Sequence, residues 1–138
     1  MARLQRENFD IGAETSALIA KNGASGGTVA FIGTARDFSR GEKVVALEFE
    51  HYQGMAQKEM EKLEADAKNR FGVLDCLIIH RLGRIPAGEN IVLIIAVGAH
   101  RPEAFDACEW LIDELKNRVP IWKKEIFVNG SHWVEPHP

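Results

Sequence analysis

The feature that most constrains the fold is an unbroken apolar run from Ile91 to Val97, followed a few residues later by Pro102. The run is far too short to cross a membrane, which takes about 20 apolar residues. It is typical of a strand, and we predict one over about 90–98. Pro102 suits the first position of a helix, where its missing N–H would be unpaired in any case. A long apolar strand that meets a helix requires a fold of mixed α and β content.

Hydrophobic periodicity and turn residues divide the rest of the chain into short elements. Asp10 is a suitable N-cap for a helix over about 11–21, and Pro120 ends the helix that begins near Pro102. A polar segment with a central glycine, 37–43, is predicted to be a mobile loop. The other predicted elements are strands over 28–36, 45–50 and 73–82, a long helix over 55–70, a turn over 85–88, and one or two short strands over 124–134.

These elements do not follow the regular rhythm of a βαβ protein, so the predicted class is α+β. We predict a single domain, residues 1–138, with a mixed or antiparallel sheet, two longer helices and one short N-terminal helix. Cys76 and Cys108 each lie among apolar residues, which predicts buried reduced thiols and no disulfide framework. The first residues lack the apolar run of a signal peptide, which favours a cytoplasmic protein.

The charges are unevenly distributed along the chain. The formal net charge is −3, which argues against a general nucleic-acid binder. Against this background the segment 116–124 contains no acid, so it should carry a positive local potential, and the turn at Pro120 can bring ammonium groups together. Its cations are Lys116, Arg118, Lys123 and Lys124. The alternative is that Lys116 and Arg118 only stabilise the negative end of a helix dipole.

Two more basic groups lie where predicted strands end. His100 and Arg101 follow the long apolar strand at the start of a helix, where unpaired backbone N–H groups favour an anion. The guanidinium of Arg101 suits phosphate or carboxylate, although a purely structural His-Arg pair is the alternative. Arg36 ends the strand predicted over 28–36. The nearby Arg40 and Lys43 are expected to be exposed loop cations without a function.

Several common sites have no support in this sequence. There is no phosphate-binding or dinucleotide-binding glycine motif and no nucleophile elbow. The five histidines show no paired metal-ligand spacing, so we expect no zinc site, no other metal and no cofactor.

Seven segments, taken in order, carry a resemblance to a known family. They are Phe31 to Arg36, Leu47 to Met55, His80 to Gly83, Ala99 to Arg101, Leu115 with Lys116, Val119 to Glu125, and Trp133 to Glu135. Together they resemble the large, catalytic subunit of molybdopterin synthase, the MoaE family, over nearly the whole chain. The most specific parts are the Pro-Ile-Trp-Lys-Lys-Glu and Ala-His-Arg blocks. The resemblance implies the α/β hammerhead type of fold.

The resemblance implies a sulfurtransferase of molybdenum-cofactor synthesis. This family converts cyclic pyranopterin monophosphate into molybdopterin, which bears a dithiolene. The sulfur arrives as a thiocarboxylate at the C-terminal Gly-Gly of a small ubiquitin-like subunit, whose tail enters a pocket of the large subunit. The family assembly is a heterotetramer around a central dimer of large subunits. Neither nucleic acid nor membrane is expected as a partner.

The same resemblance implies the site residues. Lys116 and Lys123 correspond to the catalytic pair. The corresponding substrate-binding positions are Thr34, Ala35, Arg36, His100, Arg101, Lys116, Lys123, Lys124 and Glu125. Some relatives have lysine at the position of Thr34, so this residue is expected to contribute backbone contacts. We expect Lys116, Lys123 and Arg101 to converge on one cavity, because phosphate and thiocarboxylate are both anions. A contribution of the tail, 135–138, is left open.

Two alternatives to an enzyme remain at this point. A non-catalytic module could bind a ubiquitin-like partner or a phosphorylated metabolite in the same basic cleft and convert nothing. A structural protein could use its cations only to stabilise helix ends. Turnover with both reactants separates the enzyme from the module, and binding of the pterin phosphate separates the module from the structural protein.

Overall fold

The structure is a computed structural model that describes residues 1–134. The helices in this range are α1 (Ile11–Ala20), α2 (Met55–Phe71) and α3 (Arg101–Arg118). The strands are β1 (Arg3–Gln5), β2 (Gly27–Thr34), β3 (Phe38–Ser39), β4 (Glu42–His51), β5 (Asp75–Arg81), β6 (Gly83–Pro86), β7 (Asn90–Gly98), β8 (Ile121–Phe127) and β9 (Gly130–Trp133). The predicted α+β class is confirmed. No helix within residues 1–134 is long and apolar enough to cross a membrane.

The first sheet has the strand order β1-β5-β7-β2, with β1 parallel to β5 and the other pairs antiparallel. Alternate residues of β7 point to opposite faces. Ile94 and Ala96 pack against α2 and α3 on one face, whereas Leu93 and Ile95 belong to the apolar cluster that includes Leu18 of α1. Because both faces are covered, the strand is apolar throughout, which accounts for the unbroken run in the sequence.

The start of α1 and the end of α2 lie close to the predicted positions. The Asp10 carboxylate accepts a hydrogen bond from the backbone N–H of Ala13 at 2.9 Å and caps α1. Gly72 follows α2 in the left-handed conformation, with φ of 69°, and its N–H donates to the carbonyl of Lys68. Met60 on α2 and Leu111 on α3 are fully buried in the layer between these helices and the first sheet.

The second sheet contains β3, β4, β8 and β9 in that order, with β6 also paired to β4. Strands β4 and β8 are antiparallel, and Phe49 lies opposite Lys123. This sheet has its own, smaller apolar core: Ala35, Val44, Leu47, Phe49, Ile85 and Phe127. His80, on β5 of the first sheet, meets Phe49 edge-to-face at 5.0 Å, so the two sheets adjoin there.

Two local predictions are corrected by the structure, and one strand was missed. The segment 37–43, predicted as a mobile loop, forms a hairpin in which Ser39 pairs with Glu42. Strand β6 occupies much of the turn predicted over 85–88, because residues 83–86 pair with β4. Strand β1 was not predicted, since three residues carry no readable periodicity.

Candidate functional site

The end of α3 and the start of β8 place Lys116 and Lys123 near each other. Helix α3 ends at Arg118, and the N–H of the next residue, Val119, still donates to the carbonyl of Leu115 at 3.2 Å. The next residue, Pro120, accepts a hydrogen bond from the N–H of Tyr52 at 3.0 Å, which ties the turn to the end of β4. The chain therefore reverses over very few residues, and β8 runs back beside β4.

Lys123 is a half-buried lysine with a lowered pKa. It is half-buried on β8, and its pKa is lowered chiefly by burial and further by the positive charges of Lys116 and Arg36. Only the nearby Glu125 acts in the opposite direction. The structure thus brings together three of the predicted site residues, from the end of β2, the last turn of α3 and the middle of β8. We call Arg36, Lys116 and Lys123 the cation cluster.

Arg36 lies just beyond β2, where the pairing with β7 shifts register between Gly33 and Thr34. Ala35 is buried and fixed by two backbone hydrogen bonds, to the carbonyl of Glu89 at 2.9 Å and from the N–H of Gly88 at 2.7 Å. The exposed Arg36 borders an open cleft of about 430 Å³. The cleft is lined by Ala35, Arg36, Asp37, Phe38, Ala87 and Gly88. Thr34 is exposed beside it.

Glu125 lies on the same face of β8 as Lys123, because residues two apart in a strand point the same way. It is only 7% exposed. Its Oε1 accepts a hydrogen bond from Nε of Arg40 at 3.1 Å, and the Ser39 side chain is a second partner. Burial alone would raise the pKa of Glu125, but these hydrogen bonds and the charges of Arg40 and Lys123 hold it below the usual value.

Sequence reasoning assigned no function to Arg40 and did not consider Ser39. The structure places both against Glu125, which is 85 residues away from Arg40 along the chain. Arg40 also has a φ of 54°, in the left-handed region that non-glycine residues seldom adopt. The only signal in the sequence was the glycine at position 41, which indicates a turn without telling what the turn contacts.

Lys124 and Arg118 do not join the cation cluster. Lys124 points to the opposite face of β8, where its Nζ lies 3.3 Å from the Glu48 carboxylate and 5.0 Å from the centre of the Trp133 ring. Arg118 is engaged by three acids, and the shortest of these contacts, 3.2 Å, is to Asp66. The basic segment predicted from composition is therefore divided between two faces of the second sheet and the side of α3.

His100 and Arg101 lie at the other end of α3. A rise of 1.5 Å per residue puts Arg101 about 22 Å from Lys116 along the helix axis. The expected convergence of Arg101 with both lysines in one cavity is therefore wrong for a single chain. His100 and Arg101 are both exposed. The backbone of Arg101 packs closely against residue 27, where an added Cβ would lie 3.1 Å from the Arg101 Cα, and this explains the glycine at that position.

The described residues offer little support for other chemistry. Among residues 1–134 no group of three His, Cys, Asp or Glu side chains is arranged to hold a metal ion. Burial raises the pKa of the Cys76 thiol to about 12 and that of Cys108 to about 11, so neither is a ready nucleophile. The cation cluster, by contrast, can bind an anion, stabilise a developing oxyanion and, through Lys123, transfer a proton.

Known proteins are similar to this chain in sequence and in fold. The sequence model for the MoaE protein family matches residues 4–118. A molybdopterin synthase catalytic subunit from Pseudomonas aeruginosa is 45% identical over 133 residues, 96% of this chain and 89% of the relative. One from Pyrococcus abyssi is 43% identical over 129 residues, 94% of this chain and 86% of the relative. The crystal structure of molybdopterin synthase from Staphylococcus aureus superimposes with a TM-score of 0.90 at 32% identity, covering 96% of this chain and 95% of that one.

Proposed function

The chain belongs to the MoaE family, and on that premise we propose that it is the catalytic subunit of molybdopterin synthase. It transfers sulfur from the C-terminal thiocarboxylate of a small ubiquitin-like subunit to cyclic pyranopterin monophosphate, and so forms the dithiolene of molybdopterin. The observation that carries the proposal is that the positive charges of Lys116 and Arg36 both act on the half-buried Lys123. Both reactants are anions, and such a cluster can hold them together.

The three cations differ in what they can contribute. Arg36 borders the open cleft and remains protonated under all ordinary conditions, so its role is to bind an anionic group of the substrate. Lys123 has a lowered pKa and releases a proton more readily than an ordinary lysine, which suits it to proton transfer while the thiocarboxylate attacks. Lys116, at the exposed end of α3, stabilises negative charge that develops beside Lys123.

A second copy of the chain is needed if His100 and Arg101 bind the same substrate. About 22 Å of helix separates Arg101 from Lys116 within one copy, more than a side chain can span. A dimer in which the start of α3 in one subunit approaches the cation cluster of the other removes this difficulty. We therefore include in the proposal a homodimer with shared sites, in which each subunit lends His100 and Arg101 to its partner.

Turnover in a reconstituted system tests the assignment. The purified chain, thiocarboxylated small subunit and cyclic pyranopterin monophosphate should together yield molybdopterin, and omission of any one should abolish the product. Lys116→Ala and Lys123→Ala should each reduce turnover by about 100-fold or more. Lys62→Ala, which removes an exposed ammonium group from α2, is the matched control and should leave turnover unchanged. Near-normal turnover in both site variants contradicts the assigned roles, and binding of both reactants without product identifies a binding module.

The same assay also tests whether the two subunits share each site. Lys123→Ala and Arg101→Ala homodimers should both be deficient, whereas a mixture that has exchanged subunits should recover about a quarter of wild-type turnover. This recovery follows because half of the dimers are hybrids and each hybrid contains one intact site. If exchanged mixtures show no recovery, each site is built from one chain.

A further inference from the structure

We propose that Glu125 is a positioning residue, which fixes the hairpin formed by residues 38–43 beside Lys123 and shares its negative charge between Arg40 and that lysine. The inference rests on the proposed function, and it replaces the implied role of Glu125 in binding substrate. Arg40, for which the sequence predicted no function, is the residue through which Glu125 holds the hairpin. The argument depends on the contacts of Glu125, the backbone of the hairpin and the charges around Lys123.

The contacts of Glu125 are directed at the hairpin. Its side chain is nearly buried, at 9% exposure, whereas the side chain of Arg40 is 54% exposed. The Oε1 atom accepts from Nε of Arg40 at 3.1 Å, and the side chain of the preceding Ser39 also acts on the carboxylate and lowers its pKa. A partly buried ion pair is more strongly held than an exposed pair. One carboxylate on β8 therefore holds the tip of the hairpin.

The backbone at the tip of the hairpin has an unusual conformation that bears on this contact. Arg40 and Gly41 have φ values of 54° and 77°, so both adopt the left-handed conformation at the tip. Glycine does so without steric cost, whereas a residue with a Cβ meets a steric penalty in this conformation. Arg40 thus adopts a disfavoured backbone conformation while its guanidinium is bonded to Glu125. The ion pair offsets this cost and selects one hairpin geometry.

The hairpin in turn orients the cleft. Its first residues, Phe38 and Ser39, follow Arg36 and Asp37 directly, and the N–H of Val44 donates to the carbonyl of Asp37 at 2.8 Å. Arg36 and Phe38 both line the open cleft. A hairpin that moved away from β8 would carry these two residues with it. Glu125 therefore acts on the substrate site through Arg40, without touching substrate.

A direct role for Glu125 in binding is less consistent with the structure. The substrates of the proposed reaction are anions, and a carboxylate repels them. The pKa of Glu125 is held below its ordinary value by hydrogen bonds from Ser39 and Arg40 despite burial, so the group stays ionised at neutral pH and has no proton to donate. Its remaining partner is Lys123, whose pKa it raises against the combined effect of burial, Lys116 and Arg36.

These charges predict opposite effects for two substitutions. In Glu125→Gln, Lys123 loses its one nearby anion and still faces Lys116 and Arg36, so the pKa of Lys123 should fall. In Arg40→Ala, the carboxylate loses its competing cation, so the pKa of Lys123 should rise. The residues of β4 that lie opposite Glu125 and Lys123 are Leu47 and Phe49, which carry no charge. On the other side of β8, the titratable His132 of β9 lies opposite Glu125 and is present in every variant compared. A general structural disturbance would not lower the pKa of Lys123 in one variant and raise it in the other.

The test is an NMR titration of isotope-labelled lysine side chains in the wild type and both variants, together with amide exchange of residues 38–43. We expect the two opposite shifts of Lys123, faster exchange of the hairpin in both variants, and up to about a 100-fold loss of turnover in Glu125→Gln. Arg40→Lys retains the positive charge and should keep the Lys123 titration close to that of the wild type. Glu48→Gln on β4 and Lys43→Ala in the hairpin are the matched controls.

The outcomes separate this inference from the proposed function. If Lys123 titrates as in the wild type in both variants, or if the hairpin is no more mobile, the positioning role is wrong. If the shifts appear as expected while the wild-type protein makes no molybdopterin, the reaction is wrong and the positioning role stands. Should Glu125→Gln fail to fold, Arg40→Ala and Arg40→Lys decide the question alone, because Arg40 is exposed apart from this contact.

Discussion

The two sheets of this protein both contain buried or half-buried charges, but they treat them differently. In and around the first sheet the charges are matched: the carboxylate of Glu64, on the covering helix α2, accepts hydrogen bonds from the backbone N–H groups of Ala2 and Ile78 at 3.0 and 2.9 Å. Arg81 contacts Glu89 at 3.1 Å and donates to the carbonyl of Asn90 at 2.9 Å. Every buried polar side-chain atom in residues 1–134 has a hydrogen-bond partner.

Around Lys123 of the second sheet, cations from three different elements approach each other without enough anions to balance them. Lys123 has two like charges near it and one opposite charge, and that one is shared with Arg40. The hydrogen-bonding capacity around the first sheet is used to hold the fold, whereas the positive charge around Lys123 remains available for a ligand. The comparison teaches that stability and activity depend on separate parts of this molecule, and substitutions can test how separate they are.

The largest expected effect is on the apolar layer of the first sheet. Leu111 is fully buried between α3 and the sheet. Leu111→Ala should lower the free energy of unfolding by about 2–5 kcal/mol, because apolar contact is lost and a cavity remains. Val128→Ala, at a site that is 74% exposed, should change it by no more than about 0.5 kcal/mol. Urea denaturation measures both, and turnover per folded molecule should be unchanged in both. A loss of turnover in the folded fraction of Leu111→Ala would contradict the separation.

The next effect concerns the contact between the sheets. His80 is buried against Phe49, its Nδ1 lies 2.7 Å from the carbonyl of Arg81, and burial lowers its pKa from 6.5 to about 4. Because the folded state binds this proton less readily than the unfolded state, stability is complete above about pH 6.5 and falls as the pH decreases towards 4. The loss should approach about 3 kcal/mol.

His80→Gln, which cannot titrate, is the comparison for that measurement. Chemical denaturation at pH 7 and at lower pH should show a steeper loss in the wild type than in the variant. Glu64 also titrates in the acid range, with a pKa raised chiefly by burial, but it does so in both proteins and cancels from the difference. If the free energy of unfolding depends on pH equally in the two proteins, His80 is not the group that destabilises the contact between the sheets in acid.

The sequence predicts those parts of the fold that depend on local pattern. The apolar run at 91–97, the cap at Asp10 and the stop at Pro120 are each readable within a few residues, and each is confirmed. The pairing of β4 with β8 is not readable in this way, since it joins residues at least 70 positions apart, such as His51 and Ile121. The hairpin at 38–43 was predicted as part of a loop because its contact with Glu125 involves a residue 85 positions away from Arg40, outside any local window.

The candidate site was predictable in part for the same reason. Lys116 and Lys123 are separated by a single turn, so their approach follows from the chain reversal at Pro120. Arg36 could be placed beside them only through the pairing of distant strands or through the family resemblance. The error over Arg101 was avoidable, because a helix that begins near Pro102 and ends before Pro120 already separates its two ends by more than 20 Å, at about 1.5 Å per residue.

The smallest expected effect is the one that bears most directly on the comparison of the sheets. Lys123→Met keeps an unbranched side chain of nearly the same length and removes a half-buried charge that is affected by Lys116 and Arg36. Because burial and like charges both disfavour the ammonium group, the free energy of unfolding should be unchanged or should rise, by about 0.5–2 kcal/mol. Turnover should nevertheless fall by about 100-fold or more. Urea denaturation and the product assay on the same preparation measure the two quantities.

The matched control is Lys124→Met, one residue further along β8. The Lys124 ammonium has an acid and an aromatic ring as partners, at 3.3 Å from Glu48 and 5.0 Å from Trp133. Its replacement should therefore lower stability, by no more than about 1 kcal/mol for a partly exposed pair. Two neighbouring lysines with opposite effects on stability would place the boundary between structural and functional charge within β8 itself. If Lys123→Met is destabilised as much as Lys124→Met, Lys123 contributes to folding, and the division between the two sheets is not one of charge.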